Sequence, residues 1–178
     1  MTKKIIFSGF GGQGLLTAGY LFAEASVMDG LNSTYFPSYG AEMRGGTANC
    51  HVIISEEKIA SPIISSTDIL VAFNSPSLNK FSKRLKNEGM AILNMSVIKE
   101  ELKNLAKKIM GFKFDEICLL KLGSSRFSNI VLLGVLARIT DIVKESSLIK
   151  AIEEQFWTKG KNIVTANIEA LKIGLSLC

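Results

Sequence analysis

Histidine occurs once, tryptophan once and cysteine three times among 178 residues, and each scarcity removes a class of chemistry. Cys50, Cys118 and Cys178 are widely separated, odd in number and without a CxxC spacing. They make neither a disulfide framework nor a set of iron–sulfur ligands. The single histidine, His51, lies beside Cys50 in a β-favouring run, where a satisfied structural imidazole is the ordinary expectation. No Ser/His/Asp set, no nucleophilic cysteine beside a base and no cluster of metal-ligand residues can be read, so no catalytic residue and no metal ligand is assigned.

Long apolar runs are also lacking. The most apolar stretches, residues 15–28 and 130–142, are interrupted by Thr17, Glu24, Ser26 and Arg138, short of the roughly 18 to 20 residues a membrane span needs. The opening Met1-Thr2-Lys3-Lys4 runs straight into Ile5-Ile6-Phe7 with no apolar signal core. No membrane span and a cytoplasmic location are expected. With no Pro/Gly/Ser-rich linker, fixed-period repeat or low-complexity tract, residues 1–178 read as one domain. The net charge of +5 comes mainly from Lys80, Lys83, Arg84 and Lys86, then Lys99, Lys103, Lys107 and Lys108. No interleaved aromatics accompany them, so they read as solvated helix surface and not as a nucleic-acid site.

What is present is alternation. Ile5-Ile6-Phe7 predicts a strand, the glycines after it a tight turn, and residues 15–28 a buried helix that Asp29-Gly30 ends. A second strand over 33–36 stops at Pro37 and completes a βαβ unit. Residues 47–55 predict a β-branched strand in a part of the sheet that can run antiparallel, continuing past a polar turn at 56–58 to Ile59 and the Ile63-Ile64 pair. Residues 68–73 predict a strand, and Asn74-Ser75-Pro76 a helix capped by Ser75 that runs to about Asn87. Strands over 90–93 and 109–114 flank a short helix over 99–107. Helices over 115–122, 129–141, 148–156 and 162–175 make the last third mostly helical. The expected fold is therefore α/β: a three-layer α/β/α arrangement around a Rossmann-like, mainly parallel but mixed sheet.

Two segments carry the functional reading. Gly9-Phe10-Gly11-Gly12-Gln13-Gly14 fits GxGxxG between a predicted strand and the helix it opens, which permits a tight turn and close backbone approach to an anion or a neighbouring chain. A dinucleotide enzyme adds an acidic residue about 20 positions later. Here that place reads Tyr35-Phe36-Pro37-Ser38-Tyr39, which disfavours NAD. The loop then either cradles some other phosphate or a partner backbone, or makes only a tight crossover.

The second segment, Pro37-Ser38-Tyr39-Gly40-Ala41-Glu42-Met43-Arg44-Gly45-Gly46, is a long polar connection of the kind that usually has a job. Arg44 suits bidentate recognition of a carboxylate or phosphate, and Gly45-Gly46 bends the chain beside it. An exposed Glu42–Arg44 pair is the plainer alternative. Because ligands of open α/β sheets bind beyond the carboxyl ends of the strands, Gly9, Gly11, Gly12, Gln13, Gly14, Ser38, Tyr39, Arg44, Gly45, Gly46 and Asn74 form one candidate binding surface.

Taken together, GFGGQG, the apolar first helix, SYGAEMRGGTANC before a strand and the NSPS turn resemble the gamma subunit of 2-oxoacid:ferredoxin oxidoreductases over nearly the whole chain. The string from Ser38 to Thr47 is similar to the 2-oxoglutarate and branched-chain-oxoacid branches. The resemblance implies a complex with alpha, beta and delta (ferredoxin-like) subunits that hold thiamine diphosphate, magnesium and iron–sulfur clusters, oxidise a 2-oxoacid, pass electrons to ferredoxin or another acceptor, and form the acyl-coenzyme A. It implies that this chain binds no cofactor alone and packs over the reaction centre. A stand-alone dinucleotide oxidoreductase and a non-catalytic scaffold are the competing readings.

Overall fold

The computed structural model describes residues 1–39, 47–99 and 105–178, with the backbone alone at Tyr39. Six strands, β1 (Thr2–Phe10), β2 (Asn32–Tyr39), β3 (Thr47–Ser55), β4 (Thr67–Ala72), β5 (Leu85–Asn94) and β6 (Lys108–Phe112), form one sheet in the order β2-β3-β1-β4-β5-β6. Pairing is parallel from β1 through β4 and β5 to β6, and β3 runs antiparallel to both β1 and β2. The expected β1–helix–β2 unit exists, but its strands are not neighbours. β3 is inserted between them, which the alternation of elements could not show.

Helices α1 (Leu15–Met28), α2 (Ser75–Phe81), α3 (Phe114–Leu122), α4 (Ser128–Thr140), α5 (Glu145–Phe156) and α6 (Lys161–Leu175) cover the sheet unequally. Along each strand, side chains alternate between two cores, as the pleat requires. Phe7, Val52, Ile54, Val71 and Ile92 belong to the larger core with the apolar faces of α1 and α3–α6. Ile6, Ile53, Leu70, Ala72 and Leu93 belong to a smaller one with Leu78 and Phe81 of α2 and with Ile64 and Ile98 of two connections. The first helix packs on the sheet, as expected: a side chain at Gly19 would collide with Cys50 of β3. In the outer helix layer Gly134 and Gly174 face each other's helix backbones, so α4 and α6 cross with no room for a Cβ.

Several local expectations change. Pro37 does not stop β2, because this is an edge strand and a residue without an N–H is tolerated there. Asn74, not Ser75, caps α2: its Oδ1 accepts from the Ser77 N–H at 2.8 Å. That helix ends at Phe81, a single 3-10 turn follows over Ser82–Arg84, and Leu85 already begins β5. Ile59 and Ile64 enter the smaller core from a connection that makes no strand. The helix expected over 99–107 falls mainly on residues outside the described ones, and 105–107 carry none. Among the described residues no helix is long and apolar enough to cross a membrane.

His51 differs most from expectation. It is 7% exposed on β3, yet among the described residues its Nδ1 has no hydrogen-bond partner. The Phe36 ring lies 6.4 Å away, centroid to centroid. Burial, and after it the Arg84 charge, hold the imidazole below its ordinary pKa. The unfolded chain therefore takes up this proton near pH 6.5 while the folded one resists, so stability rises with pH through that window and is lost as pH falls below about 6.5. Because His51 is the single histidine, thermal melts of the wild type should show Tm falling between pH 7 and 5.5, and His51→Gln should flatten that slope. An equal slope in the two proteins contradicts a buried neutral imidazole.

Candidate functional site

β1 and β4–β6 all end at one rim, and β3 begins there. Register makes the gathering quantitative: Ser38 pairs with Asn49 and Asn49 with Ser8, while Tyr39 pairs with Ala48 and Ala48 with Gly9. Phe10, the last residue of β1, pairs with Thr47, the first of β3. Both flanks of the second candidate segment thus stand beside the glycine loop. Arg44, Gly45 and Gly46, together with the Tyr39 side chain, lie outside the described residues.

The glycine loop is a hydrogen-bonded turn. The Gln13 N–H donates to the Phe10 carbonyl at 3.1 Å, and Gly12 inside the turn has φ 98°, a region that L side chains rarely adopt. Gly14 enters α1 at φ 72°, and its carbonyl takes the first helical bond, from the Ala18 N–H at 3.0 Å. No side chain caps α1 and its first turn holds no acid. Its leading N–H groups are therefore aimed out of the rim without an intrahelical acceptor, at the positive end of a 14-residue helix. That is the backbone arrangement that receives a phosphate or carboxylate.

Gln13 locks this loop to the next one. Its Oε1 accepts from the Phe10 N–H at 2.7 Å and from Asn74 Nδ2 at 3.2 Å, and its Nε2 donates to the Phe73 carbonyl at 3.5 Å. Gly9 has to be bare, since a Cβ there would sit 2.7 Å from that Oε1. Asn74 is 1% exposed and spends both ends of its amide internally, on Gln13 and on the α2 cap. In this rim Gln13 and Asn74 hold geometry, while the exposed Gly11 and Gly12 and the start of α1 face outward.

Other groups join them without a sequence signal. Asn129, on the first turn of α4, donates from Nδ2 to the Gly14 carbonyl at 3.0 Å across 115 residues of chain. No local motif announces a bond of that span. Asn94, ending β5, donates to Asp115 Oδ2 at 3.2 Å and closes the neighbouring corner. Lys80 Nζ reaches Thr47 Oγ1 at 3.3 Å, which sets a cation at the mouth between α2 and β3. A shallow hollow lined by Leu16, Thr17, Tyr20, Tyr35 and Gln155 borders the same first turn of α1. β2 ends without a carboxylate, so the rim has no acceptor from that strand for a ribose hydroxyl. Among the described residues no group of three or more His, Cys, Asp or Glu is placed to hold a metal.

Replacing Gln13 with Leu keeps the volume and removes the lock. The expected cost is about 1–3 kcal/mol, because the buried Asn74 amide and the Phe10 N–H lose their acceptor. Chemical denaturation measures it, and faster hydrogen exchange should be confined to the starts of α1 and α2. A variant of wild-type stability and exchange contradicts the lock.

Residues 4–177 match the family model of pyruvate ferredoxin/flavodoxin oxidoreductase. The chain is 35% identical over 172 residues to a ketoisovalerate oxidoreductase subunit of Methanothermobacter thermautotrophicus, covering 96% of this chain and 35% of that one. It spans about a third of that relative's length. A 2-oxoglutarate synthase subunit of Methanocaldococcus jannaschii is 32% identical over 168 residues, with 92% of this chain and 90% of the relative covered. Among solved structures, a keto/oxoacid ferredoxin oxidoreductase gamma subunit from Geobacter sulfurreducens superposes with TM-score 0.83 at 28% identity, over 98% and 96% of the two chains. A 2-oxoglutarate:ferredoxin oxidoreductase from Magnetococcus marinus, with 2-oxoglutarate, coenzyme A and succinyl-CoA bound, shares the fold at TM-score 0.87 and 24% identity, over 99% of this chain and 31% of that one. The glycine rim and the inserted antiparallel strand are thus features of a chain that belongs to the gamma-subunit family of the 2-oxoacid:ferredoxin oxidoreductases.

Proposed function

We propose that residues 1–178 act as one module, the gamma subunit of a cytoplasmic, thiamine-diphosphate-dependent complex that oxidises a 2-oxoacid to its acyl-coenzyme A. The 2-oxoglutarate and branched-chain oxoacids are the favoured substrates. Alpha, beta and delta subunits hold the thiamine diphosphate, magnesium and iron–sulfur clusters and pass electrons to ferredoxin or another acceptor. The observation that carries this reading is the rim itself: an uncapped helix start behind a glycine turn, flanked by both ends of the 40–46 segment.

The residues present fit a phosphate-bearing ligand. Backbone N–H groups at the start of α1 offer donors fixed by the fold, and Lys80 adds a charge at the mouth. Gly11 and Gly12 let another chain's cofactor, or coenzyme A, approach the backbone closely. Arg44 is assigned to clamp a phosphate or carboxylate from the facing segment, with Gly45 and Gly46 giving it room. Coenzyme A would accept the acyl group there, and this chain would orient it and exclude water. The relatives fit the same picture, since their names span ketoisovalerate and 2-oxoglutarate oxidation.

The test is reconstitution with the companion subunits and oxoacid-dependent dye reduction. Full complex should require coenzyme A, and this chain alone should neither reduce dye nor bind NAD. Arg44→Ala should assemble normally and lower turnover or coenzyme A affinity by about tenfold or more, the loss of one charge-assisted contact. A variant with wild-type turnover and affinity removes Arg44 from the site. Dye reduction by the isolated chain removes the whole reading.

A further inference from the structure

The peptide that joins Gly14 to Leu15 is held from the helical layer. Asn129 donates from Nδ2 to the Gly14 carbonyl at 3.0 Å, and the same carbonyl takes the Ala18 N–H at 3.0 Å. The contact is close, since a Cβ on residue 14 would lie 2.5 Å from that Nδ2. A trans peptide is planar, so its C=O and its N–H point in opposite directions. Two donors that fix the Gly14 carbonyl therefore also fix the Leu15 N–H, which opens α1 and has no acceptor among the described residues.

Asn129 is well placed to hold a direction. It is 8% exposed, and Ile130, Val131, Leu132 and Leu133 behind it are between 0% and 1% exposed. Ahead of it the Ser128 hydroxyl donates to the Ser125 carbonyl at 2.8 Å and shapes the turn that enters α4. Farther along, Gly134 lies against the backbone of α6. Helix α4 thus cannot shift without unpacking the larger core. A hydrogen bond accepted by a peptide carbonyl also polarises that peptide and strengthens its N–H as a donor.

The plainer role for this bond is a tie between α4 and α1, with stability as its only consequence. What favours a role at the rim is where the bond lands. Its acceptor is the carbonyl whose own peptide carries the first uncommitted donor of α1, at a helix end that no side chain caps. We infer that Asn129 is a positioning residue for the anion received at the glycine rim: it aims and polarises the Leu15 N–H toward a phosphate group, acting through the peptide between them. This rests on the phosphate-receiving rim proposed above and adds to it a residue of the helical layer that sets the rim's affinity.

The experiment titrates inorganic phosphate into the isotope-labelled full-length chain and follows the Leu15 amide proton, which in the wild type should move downfield on binding. Asn129→Leu, of similar size and without a donor, should move that proton upfield before any phosphate is added. It should also weaken phosphate binding by about three- to tenfold, the worth of one hydrogen bond, and Asn129→Ala should do the same. Val135→Ala, on the same helix at 0% exposed, should lower Tm at least as far and leave phosphate affinity unchanged, whereas a purely structural tie would make the variants alike. In the reconstituted complex Asn129→Leu should raise KM for coenzyme A by the same factor with kcat unchanged. A rise instead in the thiamine diphosphate concentration needed for half activity assigns the phosphate to the companion's cofactor and supports the same role. The inference is overturned if wild type and Asn129→Leu bind phosphate equally, if Val135→Ala weakens binding as much, or if the wild-type Leu15 proton does not respond to phosphate. Phosphate results as expected in a chain whose complex forms no acyl-coenzyme A overturn the proposed activity and leave the role of Asn129 standing.

Discussion

The arrangement depends on β3 running against both of its neighbours. A parallel strand in its place would begin at the far rim and carry residues 40–46 away from the glycine turn. Because β3 is antiparallel, Tyr39 leaves the sheet and Thr47 re-enters it at the same level, beside Gly9 and Phe10. Both described ends of the connection therefore stand at the rim where an open α/β sheet binds its ligands. One strand's direction thus sets the described flanks of the second motif beside the first.

The rim is also stiff where stiffness matters. Gln13 ties the first loop to the third through a carboxamide shared by Phe10, Phe73 and Asn74, and Asn129 holds the Gly14 carbonyl from the helical layer. These bonds use up the side-chain amides nearest the turn, so what faces outward is backbone N–H, fixed by the fold and needing no reorganisation when an anion arrives. On the proposed reading, this chain would contribute shape and fixed dipoles to a reaction centre whose reactive groups sit in other chains.

Most of the fold could be read from the sequence because periodicity and punctuation agreed. The α1 and β3 limits follow from Gly14, Asp29-Gly30 and the β-branched run at 47–55, and the C-terminal helices from their apolar spacing and Gly123. What could not be read depends on contacts between distant segments. Pro37 looked like a stop because strand position in the sheet, edge or centre, is not written locally. Ser75 and Asn74 are both good caps, and only the geometry of β4's exit decides for Asn74. At the site, the glycine turn and Asn74 were legible as motifs, but their roles were not: Gln13 and Asn74 turn inward and hold the rim, Asn129 arrives from 115 residues away, and the solitary histidine is buried without a full set of partners among the described residues.

The central claim is that this chain completes a reaction centre without supplying its reactive groups. Turnover per bound thiamine diphosphate, measured for the companion subunits assembled with and without this chain, tests it most directly. The account predicts that omission lowers the per-site rate of acyl-coenzyme A formation while the cofactor remains bound. An unchanged per-site rate would make the chain a scaffold and contradict it.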